Sequence, residues 1–282
     1  MKKTAYRIFW VLSFLTGVLF CLPVLVIFSG SLMSQQELGM HLKTLIYNIE
    51  GNVSFTLLPF YPTGEHYVKL LFFTPQFYVV FFNSLKLTGC ILLGQLLIAV
   101  PGAWAFRVYR FPFRRQLFTM YVALMLLPFQ VTMLSQYLVL DRLELINTHW
   151  ALILPAVFST FPVFLIYRSF CGLPGELFEA ARMDGAGEWK IFFHVGLPLA
   201  SEGIFSAMVL GFLEYWNMIE QPLVFLESPE LWPLSLYLPE IRLDNVGTSF
   251  VASVITLIPP LFVFLLGQDY LEQGIAASAV KQ

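Results

Sequence analysis

The residues best suited to contact a solute lie between positions 214 and 221, inside an otherwise apolar stretch. The stretch sets carboxylate and amide groups beside aromatic rings: Glu214, Tyr215, Trp216, Asn217, Glu220 and Gln221. This combination suits a sugar, whose ring has hydroxyls at its edge and C–H groups on its faces. An ionisable residue in a membrane span usually faces an interior or water, so the glutamates mark a candidate path. Alternatively, they bond neighbouring helices or lie near the outer interface.

Other polar residues in the apolar segments are weaker indicators of a solute path. Gln130 and Gln136 are further path candidates, although glutamine also serves to bond one helix to another. The histidines and cysteines lack the spacing of metal ligands or of a disulfide framework; they are His41, His66, His149, His194, Cys21, Cys90 and Cys171. We therefore expect no catalytic residue, metal site or cofactor in this chain.

The composition places the chain in a membrane. Of its 282 residues 58% are hydrophobic and only 12% are charged, with a mean hydropathy of +0.74. A soluble domain carries about 25% charged residues. The formal net charge of −2 comes with no basic patch that could bind phosphates. A soluble enzyme, a disordered chain and a nucleic-acid binder are thereby excluded.

Hydropathy predicts an all-α membrane protein with one transmembrane domain over residues 1–282. A spanning helix needs roughly 20 mostly apolar residues. Six segments qualify: 8–28, 80–106, 117–140, 147–169, 203–225 and 245–268. The first is longer than the apolar core of a signal peptide and precedes no small-residue cleavage site, so it is interpreted as a retained helix. Trp104, Tyr109 and Trp150 lie near predicted boundaries, as residues of an aromatic belt do.

The distribution of Lys and Arg orients these spans. With the N-terminus in the cytoplasm, eleven basic residues fall on the cytoplasmic side and four on the outer side, and Lys86 lies near the outer end of the second span. Cytoplasmic loops carry the excess of Lys and Arg, so both termini are predicted inside. The outer loops, including 227–244 and the segment around 61–67, would then be the surface that an external binding protein meets.

The longest predicted cytoplasmic loop, 172–198, has the features of a helix–turn–helix. Pro174 suits a first helical turn, and Gly185 can adopt the left-handed conformation that ends a helix. A second short helix is predicted from about Gly187 to Val195, stopping before Pro198. An amphipathic hairpin resting on lipid headgroups would also fit this pattern. The small residues favour docking into a protein groove, because they let backbones approach closely.

This loop resembles the EAA motif of ABC-importer permeases. The motif runs Glu-Ala-Ala, three residues, Gly, nine residues, an aliphatic residue, one residue, then Leu-Pro. The chain has each part at that spacing: Glu179-Ala180-Ala181, Gly185, Val195 and Leu197-Pro198. The resemblance covers nearly the whole chain and is closest to the carbohydrate-uptake, maltose-transporter type. Phe82-Asn83-Ser84-Leu85, Leu127-Pro128-Phe129-Gln130 and Trp216-Asn217 are similar to that branch.

The resemblance implies a permease subunit in a bacterial inner membrane that does not itself hydrolyse ATP. No phosphate-binding loop occurs in the sequence, so ATP and Mg would be bound by a separate cytoplasmic ATPase dimer. Further implied partners are a second permease subunit, an extracytoplasmic solute-binding protein and the lipid bilayer, but no nucleic acid. The implied ATPase-coupling residues are Glu179, Ala180, Ala181, Asp184, Gly185, Ala186, Leu197 and Pro198.

Three other functions remain as alternatives. An ion-coupled secondary transporter would show internal repeats and discontinuous helices at matching positions. An intramembrane enzyme would carry paired acids, Ser–His or metal-ligand spacing within its spans. A structural membrane subunit without a transport path is compatible with the sequence. The expected cargo is a sugar or oligosaccharide, with a sugar phosphate or polyol as alternatives.

Overall fold

A computed structural model describes residues 2–46, 56–237 and 245–279, and helices connected by short irregular segments make up these ranges. The helices are α1 (Lys2–Leu32), α2 (Gln35–Ile46), α3 (Glu65–Phe73), α4 (Pro75–Val108), α5 (Arg114–Met125), α6 (Phe129–Arg142), α7 (Trp150–Val157), α8 (Thr160–Gly172), α9 (Gly175–Met183), α10 (Glu188–Ile191), α11 (Leu197–Leu199), α12 (Ser201–Trp216), α13 (Glu220–Phe225), α14 (Leu234–Tyr237) and α15 (Val246–Ala279). Within these ranges there is no strand, so the all-α prediction is confirmed. Residues 238–244 of the predicted outer loop lie outside the described residues.

Within the described ranges, four helical segments are long and apolar enough to cross a membrane: Phe9–Leu32, Pro75–Val108, Trp150–Gly172 and Val246–Leu271. They correspond to the first, second, fourth and sixth predicted spans. The number rises to six if each of two bent helix pairs forms one span. Over residues 9–25 of α1 the side chains are exposed on every face, and Phe14 and Phe20 are more than 70% exposed. A helix that is apolar on every face needs an apolar environment.

The third predicted span, 117–140, is not one continuous helix, and whether it crosses a membrane stays a prediction. It consists of α5 and α6, which meet at an angle of 103°. Pro128 causes the break because its ring disfavours a helical conformation at the preceding residue and it lacks the N–H that a continuing helix needs. Its own backbone is extended, with ψ of 150°, before α6 begins.

The fifth predicted span, 203–225, is likewise divided into two helices. Helix α12 ends at Trp216, and the side-chain amide of Asn217 donates to the Leu213 carbonyl at 2.8 Å. A separate helix, α13, follows at Glu220. Pro222 lies in the first turn of α13, where a missing N–H costs nothing, whereas in a continuous helix its ring would clash with the preceding turn. Helix α12 forms its long apolar stretch with the preceding segment, Glu188–Leu199, and the two are bent by 68° relative to each other.

The chain forms two compact units. One comprises Met1–Val79 and Tyr237–Pro259, and the other Val80–Leu236 and Pro260–Gln282. The first has a small core of Met33, Leu38 and Val246, and the hydroxyls of Ser31 and Tyr67 lie 2.9 Å apart. The prediction of a single domain concerns how the two units are joined and stays a prediction.

The second unit is organised around Trp104 of α4, which is only 4% exposed. Its ring contacts Phe170 of α8, Phe178 of α9 and Phe192, with centroids 5.2 to 5.4 Å apart. We call these four residues the Trp104 cluster. The assignment of Trp104 to an aromatic belt is therefore wrong, because its ring is enclosed by three elements that are distant in sequence.

Helices α8 and α12 pack so closely that only glycine fits at position 203. A Cβ placed there would lie 2.3 Å from Cβ of Ser169, far inside van der Waals contact. At Gly102 of α4, a Cβ would meet nothing within 4 Å.

We expect Gly203→Ala to lower stability by about 1–3 kcal/mol through overpacking. Gly102→Ala is the matched control and should be neutral or slightly stabilising, because glycine is the poorer helix former. Apparent melting temperatures of the detergent-purified variants would measure both effects. Equal melting temperatures would contradict the close α8–α12 packing.

Candidate functional site

A cavity of about 390 Å³, lined by both apolar and polar side chains, lies where three helices of the second unit are interrupted. We call it the polar cavity after its hydrogen-bonding groups. Its lining includes Leu127 at the α5–α6 break, Ser159 at the α7–α8 break and Met218 at the α12–α13 break. At each break a proline follows closely: Pro128, Pro162 or Pro222. Because a proline in a helix interior clashes with the carbonyl of the preceding turn, these positions favour breaks and open space between the helices. Irregular backbone at membrane depth is tolerated where it lines such a cavity.

The polar residues that line this cavity are rich in hydroxyl and amide groups. They are Thr132, Gln136, Ser159, Thr160, Glu214, Tyr215 and Gln221. No Lys, Arg or His belongs to the lining, all of which is described. The cavity can therefore hydrogen-bond a polyhydroxylated solute and presents one carboxylate, with no cation to bind an anion.

Four of the predicted path residues line the cavity together: Gln136, Glu214, Tyr215 and Gln221. Trp216 is 1% exposed and belongs to the core, stacked on Phe212 with a centroid distance of 5.5 Å. Asn217 caps α12 instead of lining the cavity. The sequence reasoning missed Thr132, Ser159 and Thr160. The hydroxyl pair Ser159-Thr160 within the apolar fourth span was the available signal.

The phenol of Tyr215 accepts a hydrogen bond from a buried amide that lies outside the cavity lining. Nε2 of Gln95 donates to Oη of Tyr215 at 2.7 Å and to the Ala156 carbonyl at 2.8 Å. Gln95 is fully buried. These bonds link α4, α7 and α12, so they fix the position of the Tyr215 ring at the cavity wall.

Gln130 and Glu220 are brought together by the structure. The Gln130 amide donates to both carboxylate oxygens of Glu220, at 2.8 Å each. Both side chains are exposed. The bond joins the first turn of α6 to the first turn of α13, so it connects two of the three helices that follow the proline-associated breaks. Neither residue lines the cavity, but their neighbours Phe129 and Gln221 do.

The predicted coupling loop begins with α9, which ends in a Schellman motif. Gly185 has a φ of +78°, the left-handed conformation predicted for it. The N–H of Ala186 donates to Ala181 O and that of Gly185 to Arg182 O, both at 3.0 Å. These are the two bonds that define the motif, which needs a left-handed residue after the helix end. Glu179, Ala180 and Asp184 are exposed near this turn.

The second helix of the loop does not stop before Pro198, contrary to prediction. Helix α10 continues through a π turn, Phe192–Gly196, into α11. In this turn the N–H of Leu197 donates to Phe192 O, one residue further back than in an α-helix. The wider turn accommodates the proline ring without ending the helix. Pro198 is exposed, and Leu197 packs against the core that contains Trp104.

One face of the loop is buried and the other is exposed. Phe178 and Phe192 bury their rings in the Trp104 cluster, while Met183 is 87% and Trp189 74% exposed. Trp189 also stacks on the exposed Phe193, at 6.1 Å between centroids. Large apolar side chains clustered at the surface are typical of an interaction site.

An ion pair orients the turn between the two helices of the loop. Nε of Arg182 lies 2.8 Å from Oε1 of Glu188. This hydrogen bond lowers the pKa of the Glu188 carboxyl and raises the pKa of Arg182. Both side chains are largely solvent-exposed, so the pair contributes less than about 1 kcal/mol to stability.

Replacing Tyr215 by Phe tests the support of the cavity wall. The change removes an acceptor from the buried Gln95 amide, and an unsatisfied buried donor costs about 1–3 kcal/mol. We expect a lower apparent melting temperature in detergent for Tyr215→Phe. The exposed Tyr61 provides the control, since Tyr61→Phe should leave the apparent melting temperature unchanged. A Tyr215→Phe variant as stable as the wild type would contradict the supporting role of this bond.

Comparisons with known proteins place these features in a family. Residues 95–277 match the family described as binding-protein-dependent transport system inner membrane component. The arabinooligosaccharides transport system permease protein AraQ of Halalkalibacterium halodurans is 28% identical over 286 residues, covering 99% of each chain. The sn-glycerol-3-phosphate transport system permease protein UgpE of Agrobacterium fabrum is 31% identical over 199 residues, or 69% of this chain and 71% of that protein.

A solved structure shares the fold. It is a bacterial ABC transporter involved in the import of the acidic polysaccharide alginate, with a TM-score of 0.78 and 23% identity over 94% of this chain and 96% of the other. The matched range contains the polar cavity's broken helices α5 to α8, α12 and α13 together with the coupling loop. The chain belongs to the family of inner membrane components of binding-protein-dependent transport systems.

Proposed function

We propose that the chain is one of two permease subunits of an ATP-driven importer, and that it transmits ATPase motion through the loop 172–198. The observation that carries this proposal is the Trp104 cluster. Through it, α9 and the segment after α10 pack rigidly against α4 and α8. A displacement of the loop would therefore move the attached helices as a body, one of the ways in which packed proteins switch between states.

The exposed face of the same loop supports a protein partner. Met183 and Trp189 project from it, and Glu179 and Asp184 lie beside them on the surface. We propose that this face enters a groove of a cytoplasmic ATPase dimer that binds ATP and Mg. Glu179 would pair there with basic or amide groups, and the Schellman turn at Gly185 would present the helix.

The arrangement in the membrane follows from the same proposal. Helices α5 and α6 together would serve as the third span, and the fifth span would begin at α12, after the coupling loop, which gives six. Both termini would lie in the cytoplasm, and the bacterial inner membrane would hold the chain as a single transmembrane domain. A second permease would complete the path, and an extracytoplasmic solute-binding protein would deliver the cargo.

The cargo we propose is a neutral sugar or oligosaccharide. Relatives are named for arabinooligosaccharide and lactose transport, which supports a saccharide. Other relatives are named for sn-glycerol-3-phosphate transport. The polar cavity disfavours such an anion, because its lining holds the Glu214 carboxylate and no cationic side chain. The neutral lining groups Gln136, Gln221 and Tyr215 suit hydroxyl groups instead.

Replacing Gly185 tests the coupling role. Valine at a φ of +78° is strained by roughly 1–2 kcal/mol or more, so the turn would change conformation. We expect Gly185→Val to insert in the membrane normally but to retain about tenfold less ATPase on co-purification.

Gly187 offers a matched control for this experiment. Its φ is −70° and a Cβ there would meet nothing within 4 Å, so Gly187→Val should keep the ATPase bound. If Gly185→Val also kept it bound, the coupling role of the turn would be wrong.

Neutralising Glu214 and Glu220 together tests the path. We expect the double change to Gln to lower uptake into proteoliposomes while ATPase association stays intact, because both groups lie at or beside the cavity. The exposed Glu144, which is not part of the cavity lining, provides the control change to Gln. Unchanged uptake and unchanged cargo preference in the double variant would rule out a role in substrate contact. A subunit without a transport path would also show no stimulation of ATP hydrolysis by loaded binding protein.

A further inference from the structure

A second cavity, of about 380 Å³, collects four arginines at the junction of three elements. It is lined by Arg107 and Val108 of α4, Arg110 of the following turn, Arg114 of α5, and Gly175, Phe178, Glu179 and Arg182 of α9. We call it the basic cavity. Its volume lies in the range of ligand-binding sites, about 300–1,000 Å³.

The charges around the basic cavity do not balance. Glu179 is the one acidic residue in its lining, and Glu188 neutralises Arg182 from the side. The guanidinium groups of Arg107, Arg110 and Arg114 therefore share a concave space with a single carboxylate. Like charges held together repel each other, and an anion bound among them would relieve that repulsion.

Most of these guanidinium groups are held in place by the protein. Arg107 donates to the carbonyls of Phe170 and Leu173, at 3.2 and 3.3 Å. Arg114 donates to the Tyr109 carbonyl at 3.1 Å, and Arg182 to Glu188. A guanidinium has further N–H groups beyond those used in these bonds. Since the side chains are already positioned, an anion would not have to offset the loss of their rotamer freedom on binding.

An exposed apolar stripe begins at the basic cavity. Along α5, Leu117, Met120 and Leu124 follow Arg114 at helical spacing, and each is 41–51% exposed. The stripe extends about 15 Å from Arg114, at a rise of 1.5 Å per residue. Phe113, which directly precedes Arg114, is 71% exposed. An exposed phenylalanine beside arginines suits the boundary between lipid headgroups and acyl chains.

We propose that the basic cavity binds the phosphate of an anionic phospholipid whose acyl chain lies along the α5 stripe. An anionic phospholipid would use both features: its phosphate would bind the positioned arginines, and its acyl chain would pack along the adjoining apolar side chains. A free phosphate ion would use only the arginines. Basic pockets between membrane helices bind lipid headgroups in this way. Because Arg107 contacts α8 and Arg182 lies on α9, such a lipid would bridge the coupling loop and the membrane helices.

Retention of lipid by the purified protein tests the proposal. The importer would be purified in mild detergent with phosphatidylglycerol or phosphatidylcholine, and bound lipid counted by native mass spectrometry. We expect the wild type to retain phosphatidylglycerol in preference to phosphatidylcholine. The double variant Arg110→Gln/Arg114→Gln should retain it at least about tenfold less, since it loses two charge-assisted contacts to the phosphate. Circular dichroism would establish that the variant is folded.

The control is Arg142→Gln, at the end of α6 and outside the basic cavity, which should retain phosphatidylglycerol like the wild type. A second variant, Leu117→Gln/Met120→Gln, should lose the lipid while keeping the arginines. Equal lipid retention by the wild type and the arginine variant would overturn the proposal. So would displacement of the lipid by millimolar inorganic phosphate, which would assign the cavity to a soluble anion. Loss of the lipid whenever the ATPase is bound would assign it to an acidic segment of that subunit and would equally overturn the proposal.

Discussion

The burial of the Trp104 ring is the interaction on which the arrangement of the second unit depends. Three phenylalanines from three separate elements, Phe170, Phe178 and Phe192, pack around it with centroids within 5.4 Å. Gly196 approaches so closely that a Cβ there would lie 2.5 Å from the indole. Because aromatic rings bury a large area and pack in defined geometries, one side chain orients the whole loop on the helices beneath it.

Some prolines interrupt a helix and others do not, depending on the backbone geometry of the preceding turn. At Pro128 and Pro222 the helix is interrupted, and the resulting gaps open into the polar cavity. At Pro198 the helical path continues, because a π turn widens the backbone before the ring. The loop thus stays continuous where it joins α12, while the helices lining the cavity are divided. Broken helices in a membrane are tolerated where their free backbone groups face a cavity and not lipid.

The two cavities of the second unit have opposite chemistry. The polar cavity contains Glu214 and no cation, and suits a neutral polyhydroxylated solute. The basic cavity contains four arginines and suits a phosphate group. Each is supported by a buried or half-buried hydrogen bond from behind: Gln95 to Tyr215 in the first, and Arg107 to the Phe170 carbonyl in the second. The same fold therefore places the proposed path of the cargo and the proposed headgroup site in two different cavities.

The sequence by itself determined what depends on local chemistry: the helical class, the apolar segments, and the left-handed turn at Gly185, since hydropathy and φ preference act over a few residues. It also identified Glu214, Tyr215 and Gln221, because polar groups in an apolar stretch stand out. Only the tertiary structure decided that Trp104 is buried, that Gln130 meets Glu220, and that Ser159 joins Glu214 at one cavity. Those contacts connect residues about 55 to 90 positions apart, and their existence depends on helix bends whose angles no local pattern specifies.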